Sequence, residues 1–399
     1  MSEAGGGAAP LDRPRQPLYL HVGLPKSGTT FLQGLMANNR TRLKNAGYIY
    51  PFIRRETMFH TAVELRGQHE RWGLAPATID GTWQLVLNRI RGFGGAGIVS
   101  HELLAAATPD QVARVSRDTA DLDLHVVVTA RDLSRQATAL WQEEVKNGRR
   151  WSFEEFSEGL FDADGVQQGT SGFWRSQDLA SVLERWGAVV PAERMHVVVV
   201  PRSSRDPLEL WRRFAGAIGL DPQTVDLELQ PRANESLGAA QVALLRQVVT
   251  ALDGRLGQPH YAHVVKRFFA QTQLSRISSP APVTPADVRE RLDRVARRWA
   301  EEIRSHGYAV HGDLDELVPS TAPVPEGSRH PDDVSADDLL QGLPEVLAEM
   351  LVEIAVLRGQ IRGPKGLPPL QRTEDGRLEP AERAEPANEP QGQEPVAKG

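Results

Sequence analysis

The chain has 399 residues, of which 40% are hydrophobic and 25% are charged, so a sizeable folded core is expected. The formal net charge of -6 at pH 7 gives no basic footprint for nucleic acid, and the lack of cysteine excludes disulfides, thiolate metal sites and a cysteine nucleophile. No apolar run of about 18 residues predicts a membrane span, and residues 1–15 lack the pattern of a secretory signal. We therefore expect a cytoplasmic protein.

Four apolar runs predict buried strands of a parallel sheet, because strands that are covered on both faces lack hydrophobic alternation. Helical patterns separate these runs, and this alternation favours a doubly wound α/β domain. The predicted strands are Leu18–Val22, Gly97–Ser100, Leu124–Ala130 and Met195–Val200. The predicted helices are Thr29–Leu43, Pro109–Thr119, Leu133–Asn147, Gln177–Trp186, Pro207–Ile218, Leu237–Leu252 and Ala286–His306.

Composition divides the chain into five segments. We expect a disordered lead over residues 1–16, the α/β domain over residues 17–310 and a proline-rich linker over residues 311–334. A further helix is predicted over residues 335–362. Residues 363–399 are rich in Pro, Glu, Gln and Gly and are predicted to be a disordered tail.

Apolar residues recur in the C-terminal helix at alternating spacings of four and three, which is the seam of a coiled coil. Two interpretations stay open: a homodimer through this helix, or a single helix docked on the main domain. The seam residues are Leu343, Leu347, Met350, Ile354, Leu357 and Ile361.

The first predicted strand runs into a glycine-bounded turn and then into a helix. This arrangement directs backbone N–H groups and the positive end of a helix dipole at an anion. A Walker A loop has the pattern Gly-x4-Gly-Lys-[Ser/Thr], and here Gly23 and Gly28 keep the glycine spacing while Thr30 keeps the hydroxyl. Thr29 stands where the Walker lysine belongs, and the lysine of the turn is Lys26 instead.

The segment Pro25–Thr30 resembles the 5′-phosphosulfate loop of sulfotransferases, which use 3′-phosphoadenosine-5′-phosphosulfate (PAPS). The resemblance covers roughly residues 17–310 and is most specific at this loop. It implies a P-loop-type doubly wound parallel sheet with flanking helices, PAPS as co-substrate and no metal. It also implies transfer of a sulfuryl group to a hydroxyl or amine of a small molecule, lipid or carbohydrate. Residues 44–96 and 148–176 are expected to line the acceptor site.

The resemblance continues at the end of the third predicted strand, where Arg131 follows a buried run. Arginine forms forked hydrogen bonds with phosphate, and in sulfotransferases an arginine here and a serine on the next helix bind the 3′-phosphate of the donor. The matching serine position is Ala139 in this chain, so a neighbour such as Thr138 is expected to supply that contact. An ion pair between Arg131 and a nearby carboxylate is the alternative.

The acceptor hydroxyl needs a base, and His101 and Glu102 both follow the second predicted strand, where sulfotransferases place theirs. Adjacent residues of an extended chain point in opposite directions, so one of the two is expected to face the donor. We favour Glu102, because Ser100–Glu102 is similar to the serine-x-glutamate form of the carbohydrate-type and bacterial branches. A glutamate becomes a useful base near neutral pH when partial burial raises its pKa.

The resemblance gives Lys26 and the N–H groups of residues 26–31 the role of stabilising charge on the leaving phosphate, where preorganised donors help most. It also implies that Ser27 holds Lys26 away from the donor until the acceptor binds. The expected catalytic residues are Lys26, Glu102 and His101. The expected donor-binding residues are Pro25, Lys26, Ser27, Gly28, Thr29, Thr30, Phe31, Arg131, Thr138 and Ala139.

Two rival functions stay open. A small-molecule kinase with the same core needs a lysine in place of Thr29 and a strand-end aspartate for magnesium, to which Asp132 comes nearest. A non-catalytic nucleotide-binding scaffold is favoured by Ala139 and by the C-terminal helix. Residues Gly92–Gly97 match a dinucleotide-binding glycine pattern but precede a strand, and Ala105 replaces the second histidine of a zincin motif, so neither motif is retained.

Overall fold

The structure is a computed structural model that describes residues 14–162, 167, 172–202, 206, 208–229, 236–258, 260–318, 329–361, 370–372 and 378–380. The chain divides into two compact units, Met1–Val334 and Ser335–Gly399. Most of the predicted lead and tail, and residues 319–328 of the predicted linker, lie outside the described residues, as does Pro207, the predicted first residue of a helix.

A six-stranded sheet, in which all neighbouring strands are parallel, forms the centre of the larger unit. The strands are β1 Pro17–His21, β2 Tyr48–Ile49, β3 Ala96–Ser100, β4 Asp123–Ala130, β5 Met195–Val199 and β6 Ala309–His311. Their order across the sheet is β2-β3-β1-β4-β5-β6. The structure therefore confirms the predicted α/β fold with its parallel sheet.

All four predicted strands are present, with ends that differ by one residue at most. The sequence patterns missed the two edge strands, β2 and β6, because runs of two and three residues are too short to show a hydrophobic pattern. The last predicted residue of the α/β domain, at position 310, falls inside β6, and His311 pairs with Val198 of β5.

Helices flank the sheet and connect its strands. The α-helices of the larger unit are α1 Thr29–Asn38, α2 Arg40–Asn45, α3 Thr57–Arg66, α4 Pro76–Ile79, α5 Thr82–Phe93, α6 Pro109–Asp118, α7 Leu133–Lys146, α8 Phe153–Glu158, α9 Gly172–Gln177, α10 Leu179–Gly187, α11 Glu209–Ala217, α12 Ala239–Leu252 and α13 Ala286–His306. A π-helix spans Ala262–Gln273, and 3-10 helices span Glu70–Trp72, Glu102–Ala106, Ala192–Arg194, Pro222–Thr224, Leu227–Leu229, Leu274–Arg276 and Leu314–Leu317.

Two predicted helices are each interrupted by a buried or half-buried polar residue. The helix predicted over Thr29–Leu43 breaks at Asn39, whose side chain donates to the carbonyl of Leu35 at 3.0 Å and accepts from the backbone N–H of Asp226 at 2.7 Å. The helix predicted over Gln177–Trp186 begins only after Asp178, whose carboxylate caps α10. In both cases a side chain competes with the backbone for hydrogen bonds, which ends a helix.

The topology of the sheet predicts a ligand-binding crevice at the end of β1. This strand lies between β3 and β4, and the chain passes first to β2 and β3 on one side and then to β4, β5 and β6 on the other. In open α/β sheets, ligands bind beyond the carboxyl ends of the strands at such a reversal of direction. The three strands end at His21, Ser100 and Ala130, so the segments that follow these residues are expected to border the crevice.

The smaller unit contains α14 Ala336–Leu340 and α15 Leu343–Ile361, and α15 includes the predicted seam. Leu347, Ile354 and Leu357 of that seam are exposed. Two strands, β7 Leu370–Arg372 and β8 Leu378–Pro380, pair antiparallel within the segment that composition predicts to be disordered. This pairing differs from the expected disorder of residues 363–399. Composition describes the average of the whole segment, so it cannot predict backbone pairing between two short stretches within it.

No helix in the described part of the chain combines the length and the hydropathy that crossing a bilayer requires.

Candidate active site

The loop after β1 is shaped by residues in the left-handed backbone conformation. Gly23 and Gly28 have φ values of 82° and 83°, which only glycine adopts easily, and Lys26 has a φ of 67°. A Cβ atom added to Gly23 would lie 2.7 Å from the Cβ of Glu102, so a side chain there has no room. The glycine that the motif supplies therefore lets the loop lie against the residue expected to act as the base.

Hydrogen bonds tie this loop to its surroundings along its length. The backbone N–H of Leu24 donates to the carbonyl of Thr129 at 2.7 Å, which extends the ladder between β1 and β4. The carbonyl of Pro25 accepts from the side-chain amides of Gln136 on α7 at 2.8 Å and Gln177 on α9 at 3.2 Å. The loop is thus held in a fixed shape before any ligand binds.

The N-terminus of α1 is available to an anion. Gly28 is its N-cap residue and provides no side-chain acceptor, and the first turn contains no acidic residue. The backbone N–H groups of Thr29, Thr30 and Phe31 belong to the first turn, which has no intrahelical acceptor for them. Together with the helix dipole, these groups form the strand–loop–helix arrangement that binds phosphate or sulfate in P-loop-type folds.

A chain of buried hydrogen bonds lies beneath the loop. The hydroxyl of Ser27 donates to the carbonyl of Leu24, so it must accept from Thr129, whose Oγ1 lies 2.6 Å away. Thr129 in turn accepts from Nε2 of His21 at 3.1 Å, and Nδ1 of His21 accepts from the hydroxyl of Ser100 at 2.8 Å. This order fixes His21 as the Nε2–H tautomer.

His21 is fully buried, and burial lowers its pKa to about 4 although the charge of Glu102 acts in the opposite direction. The imidazole is therefore neutral at physiological pH. In that state it joins the end of β3, through Ser100, to Ser27 beside the loop lysine.

Lys26 forms an ion pair that the sequence did not predict. Its Nζ lies 2.6 Å from Oε2 of Glu143 on α7, and Nζ of Lys266 lies 2.6 Å from Oε1 of the same carboxylate. Burial raises the pKa of Glu143, but the two lysines outweigh burial and hold it at about 2. Ser27, which the resemblance assigns to hold Lys26, instead bonds Leu24 and Thr129. In this structure the side chain of Ser27 is turned into the buried network and Glu143 holds Lys26, so the role of Ser27 toward a bound donor stays a prediction.

Arg131 stands at the end of β4, where the negative charge of Asp132 acts on its guanidinium without forming an ion pair with it. None of its guanidinium nitrogens forms a hydrogen bond or an ion pair with the described residues, and its Nε is buried. Burial lowers the pKa of Arg131 to about 10, and the nearby charge of Arg135 acts in the same direction. The neighbouring carboxylate of Asp132 accepts from the backbone N–H groups of Ser134 and Arg135 and caps α7. The alternative of an ion pair is therefore not realised in the described part of the chain.

Of the two candidate bases, Glu102 is better placed to accept a proton. It begins the 3-10 helix Glu102–Ala106, here named the base helix, and its Oε2 accepts from the side chain of Gln33 on α1 at 3.0 Å. Nδ1 of His101 accepts from the backbone N–H of Leu103 at 3.2 Å, so the proton of this ring is on Nε2. Neither nitrogen of His101 is then free to take a proton from an acceptor.

The pKa of Glu102 departs from the sequence-based expectation. Burial raises the pKa of Glu102, but the electrostatic interaction with the His101 ring and the hydrogen bonds to the carboxylate outweigh burial, so that the pKa is lowered. Glu102 is therefore ionised at neutral pH, and its side chain is 28% exposed. The condition that burial raises its pKa is not met, because the local donors stabilise the charged form.

The face of α7 that meets the loop explains the positions of Ala139 and Thr138. Gln136 and Glu143 both contact the loop, and their spacing of seven places them on one face of the helix. Ala139 lies on that same face but carries no polar group. Thr138 lies on another face, where its hydroxyl donates to the carbonyl of Ser134 at 2.9 Å and contacts Thr284 at 3.2 Å. The hydroxyl of Thr138 is thus engaged within the protein, and its contact with the 3′-phosphate stays a prediction.

Sequence reasoning missed five residues that shape this site. They hold the loop, the lysine or the base, but each is a common residue type in a helix or strand, and no motif marks it. The spacing of Gln136 and Glu143 on a predicted helix is the one signal that could have suggested a shared face. The missed residues are His21, Gln33, Gln136, Glu143 and Lys266.

Comparison with known proteins gives similarity at the level of structure. No protein-family model matches the chain, and no curated protein matches it. The matching solved structures include a sulfotransferase from Alicyclobacillus acidocaldarius, which is 16% identical, with 61% of this chain and 93% of that chain covered and a TM-score of 0.37. They also include the sulfotransferase domain from the curacin biosynthetic pathway, at 12% identity, 72% and 99% coverage and a TM-score of 0.35. Both of these solved structures are sulfotransferases.

Proposed function

We propose that this protein is a sulfotransferase that moves a sulfuryl group from PAPS to a hydroxyl or amine of a small molecule, lipid or carbohydrate. The observation that carries the proposal is the pairing of two anion sites at neighbouring strand ends. One is the loop of Gly23–Gly28 with the uncapped start of α1. The other is the guanidinium of Arg131 at the end of β4, which forms no ion pair or hydrogen bond with the described residues. A nucleotide with phosphates at both its 5′ and 3′ positions matches two such sites.

PAPS, when bound, would supply the sulfuryl group and leave as 3′-phosphoadenosine-5′-phosphate (PAP). The N–H groups of residues 26–31 and the hydroxyls of Thr29 and Thr30 would bind the 5′-phosphate, and Arg131 would bind the 3′-phosphate. Lys26 would leave Glu143 and neutralise charge on the 5′-phosphate oxygen, where preorganised donors contribute most to rate. Glu102, already ionised, would take the proton of the acceptor.

The geometry favours this function over a kinase. The carboxylate that a kinase would use for magnesium at this strand end is that of Asp132, and it caps α7 through the N–H groups of Ser134 and Arg135. The lysine sits within the turn, paired with Glu143, and not after Gly28 where it would reach outward to a triphosphate. A donor in which a single 5′-phosphate carries a terminal sulfate through a bridging oxygen fits this position of the charge better.

Calorimetric titration tests the proposed donor. We expect PAP to bind in the absence of divalent metal at least about 10-fold more tightly than adenosine 5′-phosphate, because the latter leaves Arg131 without its counter-ion. In the Arg131→Met variant the two nucleotides should bind with similar affinity. Arg294→Met is the matched control, since Arg294 is an exposed arginine that pairs with Glu290 on α13. A preference for ATP with magnesium over PAP would instead identify a kinase, and equal binding of all three nucleotides would contradict the proposal.

A cytoplasmic location and a homodimer through α15 are further parts of this proposal, and they rest on the sequence patterns alone.

A further inference from the structure

Arginines from two helices donate to carbonyls of the base helix, outside the nucleotide loop. At the end of α3, Nη1 of Arg66 donates to the carbonyl of Leu103 at 2.5 Å. Nη2 of Arg185 on α10 donates to the carbonyl of Ala105 at 2.8 Å and to that of Arg175 on α9 at 3.2 Å. Both α3 and α9 pack against the base helix. The hydrogen bonds thus bring residues that are far apart in the sequence around one short helix.

A fourth arginine, Arg71, completes what is here named the arginine cluster: Arg66, Arg71, Arg175 and Arg185. No member forms an ion pair with a carboxylate of the described residues. Burial, together with the positive charges of Arg175, Arg71 and Arg185, lowers the pKa of Arg66 to about 10. The carboxylates of Asp178 and Glu184 act on Arg185 without forming an ion pair with it, whereas the charges that act on Arg66 are all positive. The positive charge of Arg66 is therefore poorly compensated among the described residues, which destabilises this part of the folded protein.

Arg66 is the member for which the missing partner matters most. It is 9% exposed, and its Nε is buried without a hydrogen-bond partner. A buried charge is normally paired, because removing it from water without compensation is costly. Many other arginines of this chain follow that rule, for example Arg91 with Asp121 and Arg213 with Glu316. An anion from solution would supply what Arg66 lacks.

The cluster is open to such an anion and close to the base. Arg71 and Arg175 are exposed, so the cluster borders solvent. Leu103, whose carbonyl Arg66 holds, directly follows Glu102. The two segments that the sequence predicts to line the acceptor site, residues 44–96 and 148–176, also meet here, since the first contains Arg66 and Arg71 and the second contains Arg175.

We propose that the arginine cluster is a subsite for an anionic group of the acceptor, namely a carboxylate, phosphate or sulfate ester separate from the hydroxyl or amine to be modified. Guanidinium groups match the oxygens of such anions with forked hydrogen bonds. The proposal deepens the proposed function because it limits the acceptor to acidic molecules. It rests on the proposed function, since the bound anion belongs to an acceptor only if the protein is a transferase. Anion binding at the arginine cluster can be measured whether or not the proposed function is correct.

Inorganic sulfate is the probe for this subsite. It is titrated calorimetrically into the full chain saturated with PAP, which fills the nucleotide site, with chloride holding the ionic strength constant. We expect Arg66→Met to weaken sulfate binding at least about 10-fold, because a buried charged donor is lost while a chain of similar length is kept. Arg294→Met, which removes one exposed and paired arginine, should bind sulfate like the wild type.

The same titrations separate this proposal from a purely structural role and from the proposed function. Equal sulfate affinity in the wild type and in Arg66→Met, or no sulfate binding to either, overturns the subsite and leaves the arginines as supports of the base helix. If Arg66→Met does not fold, Arg175→Met decides the question, since its side chain is exposed and a loss of about 3-fold or more is expected. If PAP does not bind, the proposed function fails, and the difference in sulfate affinity between wild type and Arg66→Met is measured in the free chain.

Discussion

Lys26 and Arg131 place two positive charges at the ends of neighbouring strands, but their surroundings differ. Arg131 has no partner among the described residues, so its charge is available to a ligand at once. Lys26 shares Glu143 with Lys266, so it must give up a short ion pair before it can contact a phosphate. At the scale of the residue, Glu143 therefore sets how readily the loop lysine reaches the nucleotide.

We expect the Glu143→Gln variant to bind PAP about 3- to 10-fold more tightly than the wild type. The substitution removes a negative charge beside an anion site and releases Lys26 from its ion pair. Calorimetry at constant ionic strength gives the dissociation constants. Glu144→Gln is the control, because Glu144 pairs with Arg149 and not with the loop lysine. Unchanged or weaker PAP binding in Glu143→Gln, relative to this control, would show that Glu143 does not restrain Lys26.

The lowered pKa of Glu102 predicts the pH dependence of sulfate transfer. A base whose pKa lies below its ordinary value of 4.5 stays ionised throughout the neutral range, so activity should be nearly flat from pH 6 to pH 8. We expect Glu102→Gln to lower kcat by about 100-fold or more while the affinity for PAP stays within about 2-fold. A decline of kcat/KM in the wild type with an apparent pKa between 6 and 7 would point to another base.

At the scale of the element, the ends of β1, β3 and β4 are joined by one hydrogen-bonded imidazole. His21 bonds Ser100 and Thr129, and Thr129 bonds Ser27 in the loop. Protonation of His21 would leave a cation in a fully buried place and reverse the bond with Ser100. The loop geometry thus depends on a neutral histidine that is itself fully buried.

This buried histidine predicts how stability changes with pH. Because the pKa of His21 falls to about 4 in the folded state from 6.5, the unfolded chain binds more protons between these values. The free energy of unfolding should therefore decrease as pH falls from about 6.5 to about 4, by about 3 kcal/mol from this residue.

Chemical denaturation across that pH range, in the wild type and in His21→Gln, measures this contribution. Glutamine keeps one donor and one acceptor but does not titrate, so its stability should depend less on pH. His263→Gln is the control, since His263 is exposed on the π-helix. Equal pH slopes in all three proteins would contradict the assignment to His21.

The C-terminal helix α15 leads to a prediction about the oligomeric state of the protein. Its apolar seam includes the exposed residues Leu347, Ile354 and Leu357, and a second copy of the helix would cover them. We expect a dimer by light scattering and a monomer for Ile354→Lys. Glu345→Lys introduces the same charge outside the seam and should remain dimeric. A monomeric wild-type protein would favour the helix docked on the main domain.

Across the whole molecule, the sequence-based predictions agree with the structure where an element is marked by a pattern in several consecutive residues. Apolar runs predicted β1, β3, β4 and β5, and the glycine spacing predicted the loop. Both features are local patterns that can be recognised within a short stretch of sequence. The edge strands β2 and β6 are too short to leave such a pattern, and their places follow from pairing with strands already formed.

The partners within the site could not be predicted in the same way. The ion pair of Lys26 with Glu143 joins residues that are 117 positions apart, and it depends on how α7 turns its face toward the loop. The same rotation moves Thr138 away from the loop-facing surface of the helix. The pKa of Glu102 likewise depends on Gln33 and His101, whose positions are set by packing and not by the motif.

A crystal structure with PAP bound tests the central claim most directly. We predict the 5′-phosphate within hydrogen-bond distance of the N–H groups of residues 26–31, with Nζ of Lys26 moved from Glu143 to that phosphate. We predict the 3′-phosphate on the guanidinium of Arg131. A complex in which PAP lies elsewhere, or in which Lys26 keeps its bond to Glu143 while Arg131 contacts no phosphate, would contradict the account.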